Sequence, residues 1–276
     1  MAGTGVREAV RRTAGHAWFH HLTRVGLVGR GAIYLLIGLL AGRIGLGRGH
    51  GEADQKGALT AVAGTPGGTA ALWLIVAGFA GLALWQFAEA RYGRPVRDGH
   101  RAHNRLMSFA RGLLYTMGFA ASLAFAAGHG GGSSDQQSRT FTARAMAEPG
   151  GRWVVLAVGA GFLVVGAITI VKAVRREFLE ELKTAGMRIR TRLTATVLGT
   201  TGNCARGLVL GGVGGFLVHA ALTFDPGKAR GLDGTLREFA RTPAGPWLLL
   251  AVAAGLALFG AYSFFEARWR KVEATT

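Results

Sequence analysis

The 276-residue chain is half hydrophobic, contains 45 glycines and carries a net charge of +17, with a mean hydropathy of +0.29. Its apolar residues come in long blocks rather than at the period of a surface helix or strand, which excludes an ordinary soluble domain. A membrane β-barrel is excluded because it would need many shorter segments of alternating polarity. The composition therefore predicts an all-α integral membrane protein.

Six apolar blocks have the length that a helix needs to cross a bilayer core about 30 Å thick. In chain order they lie near residues 25–46, 69–90, 106–127, 152–173, 203–224 and 246–266. Gly and Ala are plentiful within them, which is typical of closely packed membrane helices. We predict six transmembrane helices.

The six blocks form three copies of one two-helix unit. Each copy has an arginine followed by glycine near the start of its first span, and a proline 36, 38 or 37 residues later that begins the second span. An ionisable residue then stands at proline+23. The positions are Arg30, Arg111 and Arg206, then Pro66, Pro149 and Pro243, then Glu89, Lys172 and Glu266. Fixed spacing marks an internal repeat, so we predict three tandem two-helix repeats in a pseudo-threefold bundle.

These spacings predict the domain boundaries. A segment at 1–23 precedes repeat 1 at 24–92, repeat 2 covers 105–174, and repeat 3 covers 200–270. Residues 175–199 form a longer basic linker, where charges of both signs surround Phe178, Leu179 and Leu182 and predict an amphipathic helix on the membrane surface. Between the two spans of each repeat, the polar segments that begin at Asp54, Asp135 and Asp233 predict short helices on the opposite surface.

The charge distribution predicts the orientation. The side that holds both termini and the two loops between repeats carries 19 Lys and Arg, against 10 on the other side. Because a basic excess marks the cytoplasmic face, we expect both termini in the cytoplasm and a bacterial plasma (inner) membrane location. Attraction to anionic lipid head groups at that face explains the basic runs without nucleic acid. The expected partners are the lipid bilayer and those head groups, with a membrane protein as a further option.

The three Arg-Gly arginines are the first candidate site residues. An arginine at the centre of a membrane helix costs about 2.5–3.5 kcal/mol on insertion scales, so its presence needs an explanation. Arg30 lies six residues after Arg24, which is about 9 Å along a helix. A long side chain can reach the interface from that depth, so snorkelling or a structural ion pair is one explanation.

A sharper hypothesis follows from the depth of the proline+23 residues. The spacing places Arg30 beside Glu89 and Arg206 beside Glu266, which predicts two neutral pairs. Repeat 2 has Arg111 with Lys172 and no acid. That corner would be positive, and it would suit a phosphate or a lipid head group.

Glycines in the fifth span are candidates for helix packing. Gly207, Gly211 and Gly215 stand four residues apart. Small residues at this spacing let two helix backbones approach closely, so we predict that all three face another helix.

Catalytic, metal and cofactor sites have little support. Two groups of histidines have a spacing that a metal could use, His16 with His20 and His21, and His100 with His103, but they lack nearby carboxylate or thiolate partners. His219 is the one histidine within a span. A metal site and a bis-histidine haem are therefore disfavoured. No Ser-His-Asp order or pair of deep carboxylates indicates an intramembrane enzyme. We expect no enzymatic activity, no metal and no cofactor.

Three sets of residues recur as motifs: Arg30-Gly31-Ala32-Ile33-Tyr34, Gly57-Ala58-Leu59 with Pro66-Gly67-Gly68, and Arg206-Gly207 with Pro243-Ala244-Gly245. These motifs resemble the uncharacterised bacterial family known as domain of unknown function 1206, over roughly residues 24–270. The second copy departs most, because Thr140-Phe141-Thr142 takes the place of Gly57-Ala58-Leu59 and Lys172 stands at proline+23. The resemblance implies three copies of a two-helix domain in a membrane, and it implies no activity.

Two functions remain open at this point. The first is a structural or anion-binding membrane component, whose arginines bind anionic head groups or an acidic partner segment. The second is a small transporter or channel with a path among the repeats. Polar groups at mid-depth would favour transport, and the spans have few of them: Gln86 lies near one end.

Overall fold

A computed structural model describes residues 17–48, 52–92, 102–129, 132–241 and 244–270, and these ranges contain nine α-helices. Pro243 and most of the N-terminal segment lie outside them. The fold is all-α, as predicted. In chain order the helices are α1 (Ala17–Gly45), α2 (Gln55–Ala63), α3 (Gly68–Tyr92), α4 (Ala102–Ala126), α5 (Ser134–Ala147), α6 (Gly151–Val174), α7 (Ile189–Thr223), α8 (Leu232–Ala240) and α9 (Gly245–Trp269).

Six of these helices, α1, α3, α4, α6, α7 and α9, are long and apolar enough to cross a membrane. They correspond to the six predicted blocks. The largest difference is in α7, which begins at Ile189 rather than near 203 and runs for 35 residues. Its first turns are helical because Ala195, Gly199 and Gly202 bury one face against the rest of the bundle.

The spans form a ring in which neighbouring repeats interlock. The second span of each repeat packs on the first span of the next: α3 on α4, α6 on α7, and α9 back on α1. The glycine of the first Arg-Gly motif permits the last contact. A Cβ on Gly31 would lie 2.9 Å from the Gly260 carbonyl oxygen, and one on Gly260 would lie 2.7 Å from that of Gly31. Ring closure therefore joins repeat 3 to repeat 1.

Repeat 2 is the exception to this regularity. Its two spans, α4 and α6, make at most marginal contact with each other, whereas α1 packs on α3 and α7 packs on α9. These two spans are also the least buried of the six. The ring is therefore least closed between α4 and α6.

The predicted glycine ridge on α7 is only partly correct. Gly207 packs on α6, and so does the backbone of Gly211, since a Cβ on Gly166 would lie 2.7 Å from the Gly207 oxygen and 2.8 Å from the Gly211 nitrogen. The next glycine on that face is Gly214, which meets Gly159, and not Gly215. An added Cβ on Gly211 or Gly215 meets no atom within 4 Å. At 3.6 residues per turn, residues seven apart stay on one face, whereas steps of four drift around the helix.

The bundle has two distinct ends. The end where the Arg-Gly motifs lie is called the arginine end. The opposite end, called the aspartate end, holds α2, α5 and α8, which are the short helices predicted between the spans. At the arginine end, residues 175–188, called the strap, connect α6 to α7. We predicted an amphipathic helix here, but the structure has two short 3₁₀ turns at Glu177–Glu181 and Thr184–Gly186.

The strap is not α-helical because it pairs with the end of α9. The Lys183 amide donates to the Trp269 carbonyl over 2.8 Å, and Leu182 forms an isolated antiparallel bridge with Arg270. Such pairing needs extended backbone at Leu182, which a continuous helix does not provide.

Candidate functional site

Side chains from six segments meet at the arginine end. They come from five of the spans and from the strap, and most of them are charged. This arginine cluster consists of Arg30 on α1, Glu89 on α3, Arg111 on α4, Glu181 on the strap, Arg206 on α7, Glu266 on α9 and Arg270 just after α9.

All three guanidinium nitrogens of Arg30 donate hydrogen bonds inside the bundle. Its side chain is 5% exposed, its Nε donates to Ser263 Oγ over 3.1 Å, and its two terminal nitrogens donate to Tyr115 Oη over 2.7 Å and Glu266 Oε2 over 2.5 Å. Snorkelling does not explain it. The predicted pairing of Arg30 with Glu89 was wrong. The ring closes where α9 of repeat 3 packs on α1, and this brings Glu266 to Arg30.

Glu266 is shared by two arginines. Its second oxygen accepts a hydrogen bond from Arg270, which also lies 3.6 Å from Glu89 Oε1 and 3.6 Å from Glu181 Oε2. Burial alone would lower the pKa of Arg270, but the nearby carboxylates raise it above its ordinary value, so Arg270 stays charged. The sequence interpretation missed Arg270, whose only signal is a basic residue four positions after Glu266.

Glu89 is therefore not the partner of Arg30. It accepts hydrogen bonds from Trp85 Nε1 over 2.8 Å and from Ser108 Oγ over 3.3 Å, and Arg270 lies at the same carboxylate. Its role in the structure is to join α3 to α4 and to the end of α9.

The predicted acid-free corner of repeat 2 was also wrong. Arg111 lies 3.9 Å from Glu181 Oε1, and Lys172 lies 3.9 Å from Glu177 Oε2. Both carboxylates belong to the strap. Fixed repeat spacing did not reveal them because the segment after the fourth span is 12 residues longer than the one after the second span, so the strap falls outside the repeated pattern.

Arg206 has no carboxylate within ion-pair distance among the described residues. Glu266, its predicted partner, is occupied by Arg30 and Arg270. The Arg206 guanidinium carbon lies 5.1 Å from the ring centroid of Phe259 and 5.9 Å from that of Tyr34, and its buried Nε has no hydrogen-bond partner in the described chain. Arg30 lies 5.0 Å from the same Phe259 ring, so two guanidinium groups share it.

Among the described residues, the arginine cluster has one more positive than negative charge. It contains four arginines (30, 111, 206 and 270) and three glutamates (89, 181 and 266), and Arg206 is the arginine that has none of those glutamates within ion-pair distance. A charge in a membrane interior is unfavourable without a compensating partner. Arg206 is partly exposed. Chemically, the site can bind one anionic group through charge-assisted hydrogen bonds.

The aspartate end contains a different, regular arrangement. Asp54 accepts from the Ser134 amide over 2.7 Å, Asp135 accepts from the Gly231 amide over 2.7 Å, and Asp233 accepts from the Ala53 amide over 2.8 Å. Each repeat thus binds the next, and repeat 3 binds repeat 1. The sequence showed the three aspartates at arginine+24, +24 and +27, but not that each bond crosses to another repeat.

A small polar cavity of about 70 Å³ lies beside α2 and α4 at this end. Gln55, which lines it, donates to the Gly118 carbonyl and to Ser122 Oγ, both over 2.8 Å. Towards the arginine end, Tyr115 and Arg111 follow on α4 at helical spacing. One face of α4 therefore carries more polar groups at mid-depth than the sequence indicated.

The fold and the repeated unit define a multi-pass membrane protein with internal threefold repetition. Residues 25–93, 106–176 and 201–270 each match the family described as Domain of Unknown Function (DUF1206), and the chain belongs to this family. A relative from Bacillus subtilis (strain 168), Uncharacterized protein YxxB, is 32% identical over 251 residues, which cover 90% of each chain. No solved structure matches.

Proposed function

We propose that this protein is a non-enzymatic membrane component that binds the phosphate of an anionic lipid head group at its arginine end. The observation that carries the proposal is the excess positive charge at Arg206. Phe259 and Tyr34 hold the guanidinium by cation–π contacts, which leave its two terminal nitrogens available to an anion. A lipid phosphate would supply the missing negative charge.

The proposal includes the orientation. We place the arginine end at the cytoplasmic face of a bacterial plasma membrane, which the excess of Lys and Arg on that side supports. In a Cys204→Ala background, a cysteine at position 132 or 230 should react with an impermeant thiol reagent in intact cells. A cysteine at position 97 should react only after lysis, and the opposite pattern would reverse the orientation.

The lipid proposal is tested by counting bound lipid. Wild type and Arg206→Gln are purified in mild detergent, and the phospholipid that stays bound is identified by native mass spectrometry. Arg206→Gln should lose about one anionic lipid per chain, since one charge is in excess. Arg241→Gln removes the same charge from an exposed site at the aspartate end and is the control. Equal lipid content in wild type and Arg206→Gln would refute the proposal.

A row of polar side chains on α2 and α4 favours a second candidate, a small transporter. This polar row consists of Gln55 on α2 and of Ser122, Tyr115 and Arg111 on α4, and it extends from the cavity at the aspartate end to the arginine cluster. A pH-sensitive dye inside proteoliposomes, under an imposed potential, would report proton movement along this row. Transport predicts a flux above that of empty liposomes, which Gln55→Leu reduces. Equal flux with and without protein would argue against proton transport.

A further inference from the structure

The strap covers part of the arginine end through a few specific contacts. Leu182 is fully buried, and the Phe178 ring packs edge-on against Tyr262 at 5.3 Å between centroids. Phe178 also lies over Gly199 of α7, where an added Cβ would come within 2.4 Å of the ring. Leu179 and Met187 of the strap are partly buried in the same apolar cluster. The strap is thus held by four apolar side chains and by its pairing with the end of α9.

Glu181 links the strap to the arginine cluster through two long ionic contacts. Its oxygens lie 3.9 Å from Arg111 and 3.6 Å from Arg270, which is longer than a hydrogen bond. Its side chain is 23% exposed. By contrast, Glu266 lies 2.5 Å from Arg30 and is 6% exposed. Of these two carboxylates, Glu181 is the more accessible to an external anion.

The strap leaves α6 through Arg176, which has φ +59°. The left-handed region is a common helix ending, and Phe224 ends α7 in the same way, with φ +55°. This conformation ends α6 and turns the chain into the strap.

We propose that the strap is a displaceable cover, and that Glu181 is a built-in counter-anion for Arg111 and Arg270. A phosphate group, from an anionic lipid or from solution, competes with Glu181 for these guanidinium groups and releases the strap. The inference extends the proposed function to neighbouring arginines, but it depends on the contacts of the strap and not on Arg206.

Hydrogen exchange of the full-length protein in lipid nanodiscs tests this cover. The readout is the peptide around Leu182 and Lys183, whose amides bond to Leu179 and Trp269. Glu181→Gln should speed its exchange by about fivefold, the size expected for the loss of partly exposed ion pairs. Glu180→Gln alters an exposed neighbour of the same type and should have no effect.

A second variant opens the strap without changing its charge. Gly199→Leu should displace Phe178 and speed exchange of the same peptide. Gly211→Leu, the same change on the same helix but into open space, should not. If Gly199→Leu leaves exchange unchanged, Phe178 does not hold the strap, and the proposal that the strap is a displaceable cover is wrong.

The anion itself is tested in three conditions: phosphatidylcholine nanodiscs, the same discs with inorganic phosphate, and phosphatidylglycerol nanodiscs. Wild type should exchange faster in at least one anionic condition, which identifies the source, and Glu181→Gln should respond less. No response to either anion, or equal exchange in Glu181→Gln and Glu180→Gln, would overturn the proposal. The exchange of the strap peptide does not involve Arg206. A negative exchange result therefore leaves the lipid proposal at Arg206 intact, and an unchanged lipid count in Arg206→Gln leaves the cover proposal intact.

Discussion

The two ends of the bundle use the same threefold repeat in opposite ways. At the aspartate end, each repeat contributes one aspartate that accepts a backbone N–H from the next repeat. At the arginine end, each repeat contributes one Arg-Gly arginine, and these three have three different environments. Arg30 is paired with Glu266, Arg111 lies beside Glu181 of the strap, and Arg206 has aromatic rings and no carboxylate among the described residues.

The aspartate end therefore closes the fold, whereas the arginine end holds the candidate functional site. Closing a ring of three repeats requires the same link three times, and the aspartates provide it. The arginine end does not need three equal contacts, because the packing of α9 on α1 already joins repeat 3 to repeat 1. Departures from symmetry there are where a ligand can act, and Arg206 is the largest departure.

The largest effect that we expect comes from the buried pair at the arginine end. Glu266→Gln leaves Arg30 and Arg270 without their closest carboxylate, and breaking a buried pair typically costs about 3–5 kcal/mol. The folded yield and the midpoint of thermal unfolding in detergent should both fall sharply. A double-mutant cycle should show coupling between Arg30 and Glu266 and near-additivity between Arg30 and Glu89. Strong coupling of Arg30 to Glu89 would restore the pairing predicted from the sequence.

Intermediate effects are expected at the aspartate end. Asp54→Ala, Asp135→Ala and Asp233→Ala each leave a backbone N–H of another repeat without its acceptor, at a cost of about 1–3 kcal/mol. Denaturant unfolding should show losses of similar size, smallest for Asp135, which is the most exposed of the three side chains. If only one aspartate matters, closure at this end is not threefold.

The smallest effect on the bare protein is expected at Arg206. Without lipid, Arg206→Gln should change stability by less than about 1 kcal/mol, because the arginine is partly exposed and no ion pair is lost. Adding phosphatidylglycerol should then raise the unfolding temperature of wild type more than that of Arg206→Gln, since a ligand stabilises the state that binds it. Equal shifts would place the lipid elsewhere and remove the functional contrast between the two ends.

The sequence by itself determined the six spans, the three repeats, the short helices between spans and the position of the Arg-Gly arginines. These follow from apolar block length and fixed spacing, which are local properties of the chain. It also placed Asp54, Asp135 and Asp233 at corresponding positions of the three repeats.

Only the tertiary structure decided which charges meet. The spacing within a repeat matched Arg30 with Glu89, but the ring packs the second span of each repeat on the first span of the next, so Arg30 meets Glu266. The strap places Glu181 beside Arg111, although the two are 70 residues apart in the sequence. Ion pairs depend on distances in space, which are set by how helices pack, and no repeat period encodes the order in which the repeats close.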